Sequence, residues 1–198
     1  MNLSGYASNN YVVMKEKKKK GLYIGRFQPV SWGHIRVIDT ALEECENLII
    51  VIGSIQEVGT EKNPFNFSDR KKMFKRIFFD APEKWEKIQI IGLPDIFNPN
   101  GWAKYVLNTI RFKIAEEEII FPIPDNYYCG SYYDGYLFEN SGLDIRIVDR
   151  TDIKFPPVSS SMIRQMCVYQ DKRWKDYVPE QIWGIVQELE DRYTWKKD

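Results

Sequence analysis

The sequence predicts an α/β domain built on a doubly wound parallel sheet of about five strands with flanking helices, and three observations carry that prediction. Short β-branched runs such as Leu48-Ile49-Ile50-Val51-Ile52 are apolar throughout and too short for helices, as strands buried on both faces are. Stretches with apolar residues at helical spacing fall between these runs, so strand and helix alternate along the chain. The first run closes on a glycine and passes through a second glycine-containing turn into a helix, the connection from which such sheets build ligand sites at the carboxyl ends of their strands.

Taken in order, residues 1–20 read as a solvated leader, polar at first and then basic through 15–20, with the folded domain at 21–198. Gly21-Leu22-Tyr23-Ile24-Gly25 is the first strand, and Ile35, Ile38, Leu42 and Cys45 follow at helical spacing. Residues 48–53 form the second strand. Ser68 is a plausible N-cap for a helix whose apolar face is Met73, Ile77 and Phe78. Residues 88–91 suit a third strand, Trp102, Tyr105, Val106 and Thr109 a helix, and 126–129 and 145–148 two further strands. From Ser159 onward the chain reads as helices, interrupted before Pro179 and closing with Ile182, Ile185, Val186 and Leu189. Residues 112–124, with three consecutive glutamates and two prolines, read as an irregular excursion, and no internal repeat is present.

Composition excludes several functions. The 198 residues carry 28 basic and 28 acidic side chains, which gives no bulk electrostatic reason for nucleic-acid binding. One histidine, His34, cannot build a multi-histidine zinc site or a histidine relay. Cys45, Cys129 and Cys167 are odd in number, widely spaced and without a C-x-x-C pair, so they read as buried thiols of a reducing cytoplasm. No apolar run has the length of a membrane span, and the N-terminal residues lack the apolar core of a signal peptide, so a soluble protein without a membrane partner is expected.

Candidate chemistry concentrates in Gly25-Arg26-Phe27-Gln28-Pro29-Val30-Ser31-Trp32-Gly33-His34, between the first strand and the first helix. Gly25 permits a tight exit from the strand, Gly33 lets backbone approach a ligand, and the helix start offers unpaired N–H groups with a positive dipole, a corner that favours phosphate. Arg26, His34 and Ser31 add side-chain donors there. Ser159, Ser160 and Ser161, with Arg164 one turn later, combine capping and phosphate-binding geometry at a second helix start. Arg70 is read either as a ligand for phosphate or as part of a solvated basic face. Trp102 is either core or a stacking surface, and the tyrosines 127, 128, 132, 133 and 136 read as packing rather than a binding platform.

The first segment resembles the G-x-F-x-P-x-[HT]-x-G-H signature of the nucleotidylyltransferase superfamily, and its wording is most similar to the archaeal-type nicotinamide-mononucleotide adenylyltransferases. The resemblance continues through Ile52-Gly53-Ser54-Ile55-Gln56-Glu57, Asn63-Pro64-Phe65, Arg70, Asp95, Trp102, the second signature at Val158-Ser159-Ser160-Ser161-Met162-Ile163-Arg164, and 174–179. It implies a Rossmann-like single domain and transfer of AMP from ATP to the 5′-phosphate of nicotinamide or nicotinic acid mononucleotide, with Mg²⁺ accompanying ATP and an oligomer expected. His34, Arg26, Ser31 and Arg164 would be catalytic. Gly25, Phe27, Gly33, His34, Ser159, Ser160, Ser161 and Arg164 would hold ATP, with Ser161 also capping the helix, and Asp95, Trp102 and Arg70 would hold the mononucleotide. One position departs: the archaeal-type family has histidine at Ser31. Serine carries no positive charge, so one phosphate-stabilising group is lost or replaced. The rival readings are a transferase with a different phosphorylated acceptor, as in the phosphopantetheine adenylyltransferases, and a nucleotide-binding regulator without chemistry. No Walker A loop, Nudix box or K-M-S-K-S segment is present.

Overall fold

A computed structural model of the chain describes residues 19–150 and 158–191. Strands β1 (Lys19–Gly25), β2 (Cys45–Ile52), β3 (Ile88–Gly92), β4 (Asn126–Cys129) and β5 (Asp144–Ile147) form one parallel sheet in the order β3-β2-β1-β4-β5. Parallel neighbours require crossovers over the faces, and α1 (Trp32–Glu44), α2 (Phe67–Ile77), α3 (Pro82–Trp85), α4 (Pro99–Ala115) and α5 (Tyr132–Tyr136) lie in those connections. Helices α6 (Ser160–Val168) and α7 (Trp183–Asp191) close the chain, joined through 3₁₀ turns at Lys172–Tyr177 and Glu180–Ile182. The strand order reverses at β1, which leaves a crevice above the carboxyl ends of β1 and β4.

The period-2 alternation of strands sorts the core onto two faces. In β2, Leu48, Ile50 and Ile52 join a cluster with Tyr23, Ile38, Met73, Phe74 and Ile163, while Ile49 and Val51 join Leu22, Val106, Ile110 and Phe138 on the other face. All five β2 residues are buried, which is why this strand is a continuous apolar run in the sequence. Burial of each such side chain contributes about 1.5–3 kcal/mol, so the central strand holds both helical layers together. The edge strand β5 is mostly exposed and correspondingly mixed in sequence.

Four expectations change, the first at α2, whose N-cap is Asn66, its side chain accepting from Asp69 N (2.8 Å), while Ser68 lies inside the first turn. Strand β1 takes in Lys19 and Lys20, the last two residues of the expected leader, because Lys20 pairs in register with Asn47 and its N–H donates to the Asp125 carboxylate. The rest of the leader lies outside the described residues. The excursion at 112–124 begins as the last turn of α4, and Glu118 and Ile119 donate back to the Lys113 carbonyl to close it. The Gln89 side chain then bonds both Glu118 O and Ile120 N, tying the excursion to β3. Finally, the tyrosines divide: Tyr127 and Tyr128 are buried in β4, but Tyr132, Tyr133 and Tyr136 on α5 are exposed rather than packed.

All three cysteines are free and buried, and burial pushes the Cys167 thiol up to about 12. Among the described residues no helix is long and apolar enough to cross a membrane.

Candidate active site

A cavity of about 1160 Å³ opens over the carboxyl ends of β1 and β4, lined by Gly25, Arg26, Phe27, Ser31, Gly33 and His34 from the first strand-to-helix turn and by residues 158–162 and Arg164 from the start of α6. The structure thus brings the two sequence segments to one site. Gly25 is required there because the Phe27 ring folds back over it, so that a Cβ would lie 2.8 Å from the ring. Phe27 has a left-handed backbone (φ 52°), a conformation that costs a non-glycine residue energy and is held by burial of its ring against Tyr23, Phe74 and His34. Phe27 is therefore a buried floor beneath the cavity.

Ser31 is the N-cap of α1 and His34 its third residue. The Ser31 backbone N–H donates to His34 Nδ1 at 3.0 Å, and Ser31 Oγ lies 2.9 Å from the same nitrogen. Since an N–H cannot accept from another N–H, Nδ1 is the unprotonated nitrogen and Nε2 carries the ring proton. Burial, and secondarily the charge of Arg150, lower the His34 pKa to about 3, so the imidazole is neutral at physiological pH. His34 is thus a neutral N–H donor with a fixed tautomer, whose proton acceptor side is closed by its own helix cap. Ser31, 4% exposed, faces His34.

Two arginines of the sequence prediction are tied to main chain. Arg70 is 0% exposed, and its guanidinium donates to the carbonyls of Arg26 (2.9 Å), Gly53 (2.7 Å) and Asn66 (3.2 Å). Burial lowers its pKa to about 10, still charged at neutral pH. The sequence suggested a substrate ligand or a solvated face; the structure gives neither surroundings, since Arg70 is absent from the cavity lining and braces the ends of β1 and β2. Arg164 lines the cavity but donates to Gln28 O (2.8 Å), Glu61 O (3.0 Å) and Ser161 Oγ (3.1 Å), which docks α6 onto the first turn. By contrast Arg26 is exposed at the cavity, and its guanidinium makes no hydrogen bond among the described residues.

The serines exchange roles. The helix begins at Ser160, so its N-cap is Ser159, whose Oγ accepts from Met162 N (3.2 Å). Ser161, expected to cap, instead accepts from Arg164, and Ser160 Oγ donates to Pro29 O (3.1 Å). Sequence inspection also passed over Gln28, whose buried amide bonds both Phe65 N and Phe65 O (2.9 and 2.8 Å) and clamps the first turn to the loop after β2.

Asp95 and Trp102 line a further wall. Gln56 pairs with both main-chain groups of Asp95, and Asp95 Oδ1 accepts from Phe97 N, which fixes the carboxylate at the end of β3. Residues 130–134, which follow β4, and 147–150, which begin at the last residue of β5, also line the cavity and were not anticipated as site residues. The signal that could have found them is positional: both segments leave the carboxyl end of a parallel strand beside the switch point. Tyr132 and Tyr133 stand at the rim. Among the described residues no group of three or more His, Cys, Asp or Glu side chains could hold a metal; the lining sets Arg26, Arg150, Arg164 and several hydroxyls beside the carboxylates of Asp95, Asp134 and Asp149.

Comparison with known proteins gives the following. The cytidylyltransferase-like family matches residues 22–166. The nicotinamide-nucleotide adenylyltransferase of Thermococcus sibiricus is 33% identical over 172 residues, covering 86% of this chain and 84% of that protein. That of Saccharolobus solfataricus is 31% identical over 179 residues, covering 86% and 91%. Among solved structures, a bifunctional NMN adenylyltransferase/ADP ribose pyrophosphatase from Francisella tularensis superposes with a TM-score of 0.71 at 21% identity, over 88% of this chain. The chain spans only 50% of that protein's length. The same Francisella protein complexed with AMP and a Mn ion superposes at 0.67 with 21% identity, covering 90% of this chain and 52% of that one. These structural likenesses show the fold.

Proposed function

The chain belongs to the cytidylyltransferase-like family and is an adenylyltransferase of NAD synthesis, and from that premise we propose how its residues carry the reaction. The AMP part of ATP passes to the 5′-phosphate of a nicotinamide or nicotinic acid mononucleotide. A phosphate oxygen of the mononucleotide attacks the α-phosphorus of ATP, the bond from that phosphorus to the bridging oxygen breaks, and pyrophosphate leaves with the electron pair. The attacking oxygen is already anionic, so no general base is needed. Catalysis then consists of aligning two polyanions and stabilising negative charge that moves toward pyrophosphate.

The fixed tautomer of His34 is the observation that carries this reading. A base or proton shuttle needs an imidazole that titrates near neutral pH, whereas His34 is neutral down to about pH 3 and offers one N–H. That is what a preorganised donor to an ATP phosphate requires. Arg26, exposed in the cavity, supplies charge at the reacting phosphates, and the starts of α1 and α6 add their dipoles. Arg164 acts by docking α6 and by its charge, Ser159 by capping it, Ser160 by joining it to Pro29 O, Ser161 by accepting from Arg164 within the helix, and Ser31 by holding the imidazole. Arg70 acts through the walls it braces. Asp95 and Trp102 hold the mononucleotide, the carboxylate accepting from the pyridine amide and the indole stacking on the ring.

We assign Mg²⁺ as the accompanying cation: it would be held by substrate phosphates and water rather than by a protein cage, and would supply neutralisation of phosphate charge. With three buried free thiols the setting is read as cytoplasmic. Purified protein incubated with ATP, Mg²⁺ and each mononucleotide is expected to release pyrophosphate and form the dinucleotide. Turnover only with another phosphorylated acceptor, or ATP binding without turnover, would overturn the assignment.

A further inference from the structure

We propose that Arg150 is a phosphate-binding residue of this reaction, supplying beside the start of α1 the positive charge that Ser31 cannot. The inference rests on the adenylyl-transfer reading. Arg150 follows β5, 116 positions after His34 in the chain, yet it lines the same cavity. Its stem lies along the first turn of α1, with Cβ and Cδ each 3.6 Å from where a Gly33 side chain would begin. Its head lies over Gly130 so closely that any Cβ there would collide with Nε and Cζ. The two residues that lead into it are held: Val148 N donates to Cys129 O (2.8 Å), and the Arg36 side chain donates to Asp149 O (3.0 Å).

A guanidinium held this way needs acceptors, and it lacks one. Arg150 Nε is buried without a hydrogen-bond partner among the described residues, and so is the hydroxyl of Tyr23, which also lines the cavity and feels the Arg150 charge. Two buried donors left unsatisfied at one end of a cavity are costly unless a ligand oxygen completes them. The same charge contributes to keeping His34 neutral, so the cation and the neutral donor are matched parts of one anion site. Arginine suits this task because its planar fork meets phosphate oxygens in pairs.

Calorimetry of the full chain with inorganic pyrophosphate and Mg²⁺, and separately with adenosine, distinguishes a phosphate contact from a folding defect. Arg150→Gln is expected to weaken pyrophosphate binding by about tenfold or more, as loss of a charged hydrogen bond does, with adenosine binding unchanged. Arg150→Lys should recover part of the loss. Gly130→Ala keeps the arginine but displaces its head, and should show the same selective loss. Pyrophosphate binding unchanged in Arg150→Gln, or an equal loss of pyrophosphate and adenosine in both variants, would overturn the proposal. Dinucleotide formation by the unmodified protein is a separate readout, so failure of the reaction assignment is not confused with failure of Arg150.

Discussion

Arg70 and Arg26 sit at opposite surfaces of the same turn and do opposite things with the same side chain. Arg70 lies beneath it, wholly buried, with Nε and Nη1 donating to three main-chain carbonyls, one of them that of Arg26 itself, and Nη2 buried without a partner among the described residues. Arg26 lies above it, exposed to the cavity and without a hydrogen-bond partner among the described residues. The difference teaches that positive charge around the cavity is sorted by its hydrogen-bond accounting. A guanidinium committed to carbonyls maintains the shape of the site, and an uncommitted one is available to the substrate.

Substitutions can break this contrast. Arg70→Ala strands the carbonyls of Arg26, Gly53 and Asn66 in a buried place; a loss of about 3 kcal/mol or more is expected, lowering Tm by roughly 6–12 °C in thermal unfolding. The surviving folded protein should keep its KM values within a few-fold, and a selective rise in KM at unchanged Tm would place Arg70 with the substrate instead. His34→Ala removes a preorganised donor, and kcat measured by pyrophosphate release should fall about 10²-fold or more. For Arg26→Gln the opposite of the Arg70 pattern is expected, with Tm unchanged and kcat/KM reduced by about tenfold or more. Ser31→Ala should have the smallest effect, a loss of a few-fold, because the Ser31 backbone N–H still fixes the tautomer.

The pH profile sharpens the role of His34. With its folded pKa near 3 against 6.5 in the unfolded chain, His34 favours folding fully above pH 6.5, and that contribution is lost as pH falls from 6.5 toward 3. Denaturant titrations across that window should show stability falling with acid, less steeply in a His34→Gln variant. Activity should show no inflection from His34 between pH 6 and 8. An imidazole inflection near 6.5 in kcat/KM would contradict a permanently neutral donor.

The sheet was legible because buried parallel strands write themselves as β-branched runs, as β2 does, and because Gly25 marks where β1 must turn. Helix α5 was not, since a five-residue helix of exposed tyrosines has no apolar face to set a period. The site was legible where one turn carries it, at Arg26 to His34 and Ser159 to Arg164. Within those turns, residue type could not reveal hydrogen-bond commitment: Arg164 reads identically whether it meets phosphate or the carbonyls of Gln28 and Glu61. Nor could the sequence place Arg150, whose neighbours Gly33 and Gly130 are brought to it only by tertiary structure.

The clamp of Gln28 on Phe65 has a consequence for engineering. Residues 53 and 65 are both pinned to the first turn, Gly53 by its N–H to Gly25 O (3.0 Å) and Phe65 by the Gln28 amide. The chain between them is therefore a loop with fixed ends, and its tip at Gly59 is exposed, with open space where a side chain would start. Closure entropy grows only slowly with length, so a tag or fluorophore-bearing peptide inserted at Gly59 should be accommodated without shifting either anchor.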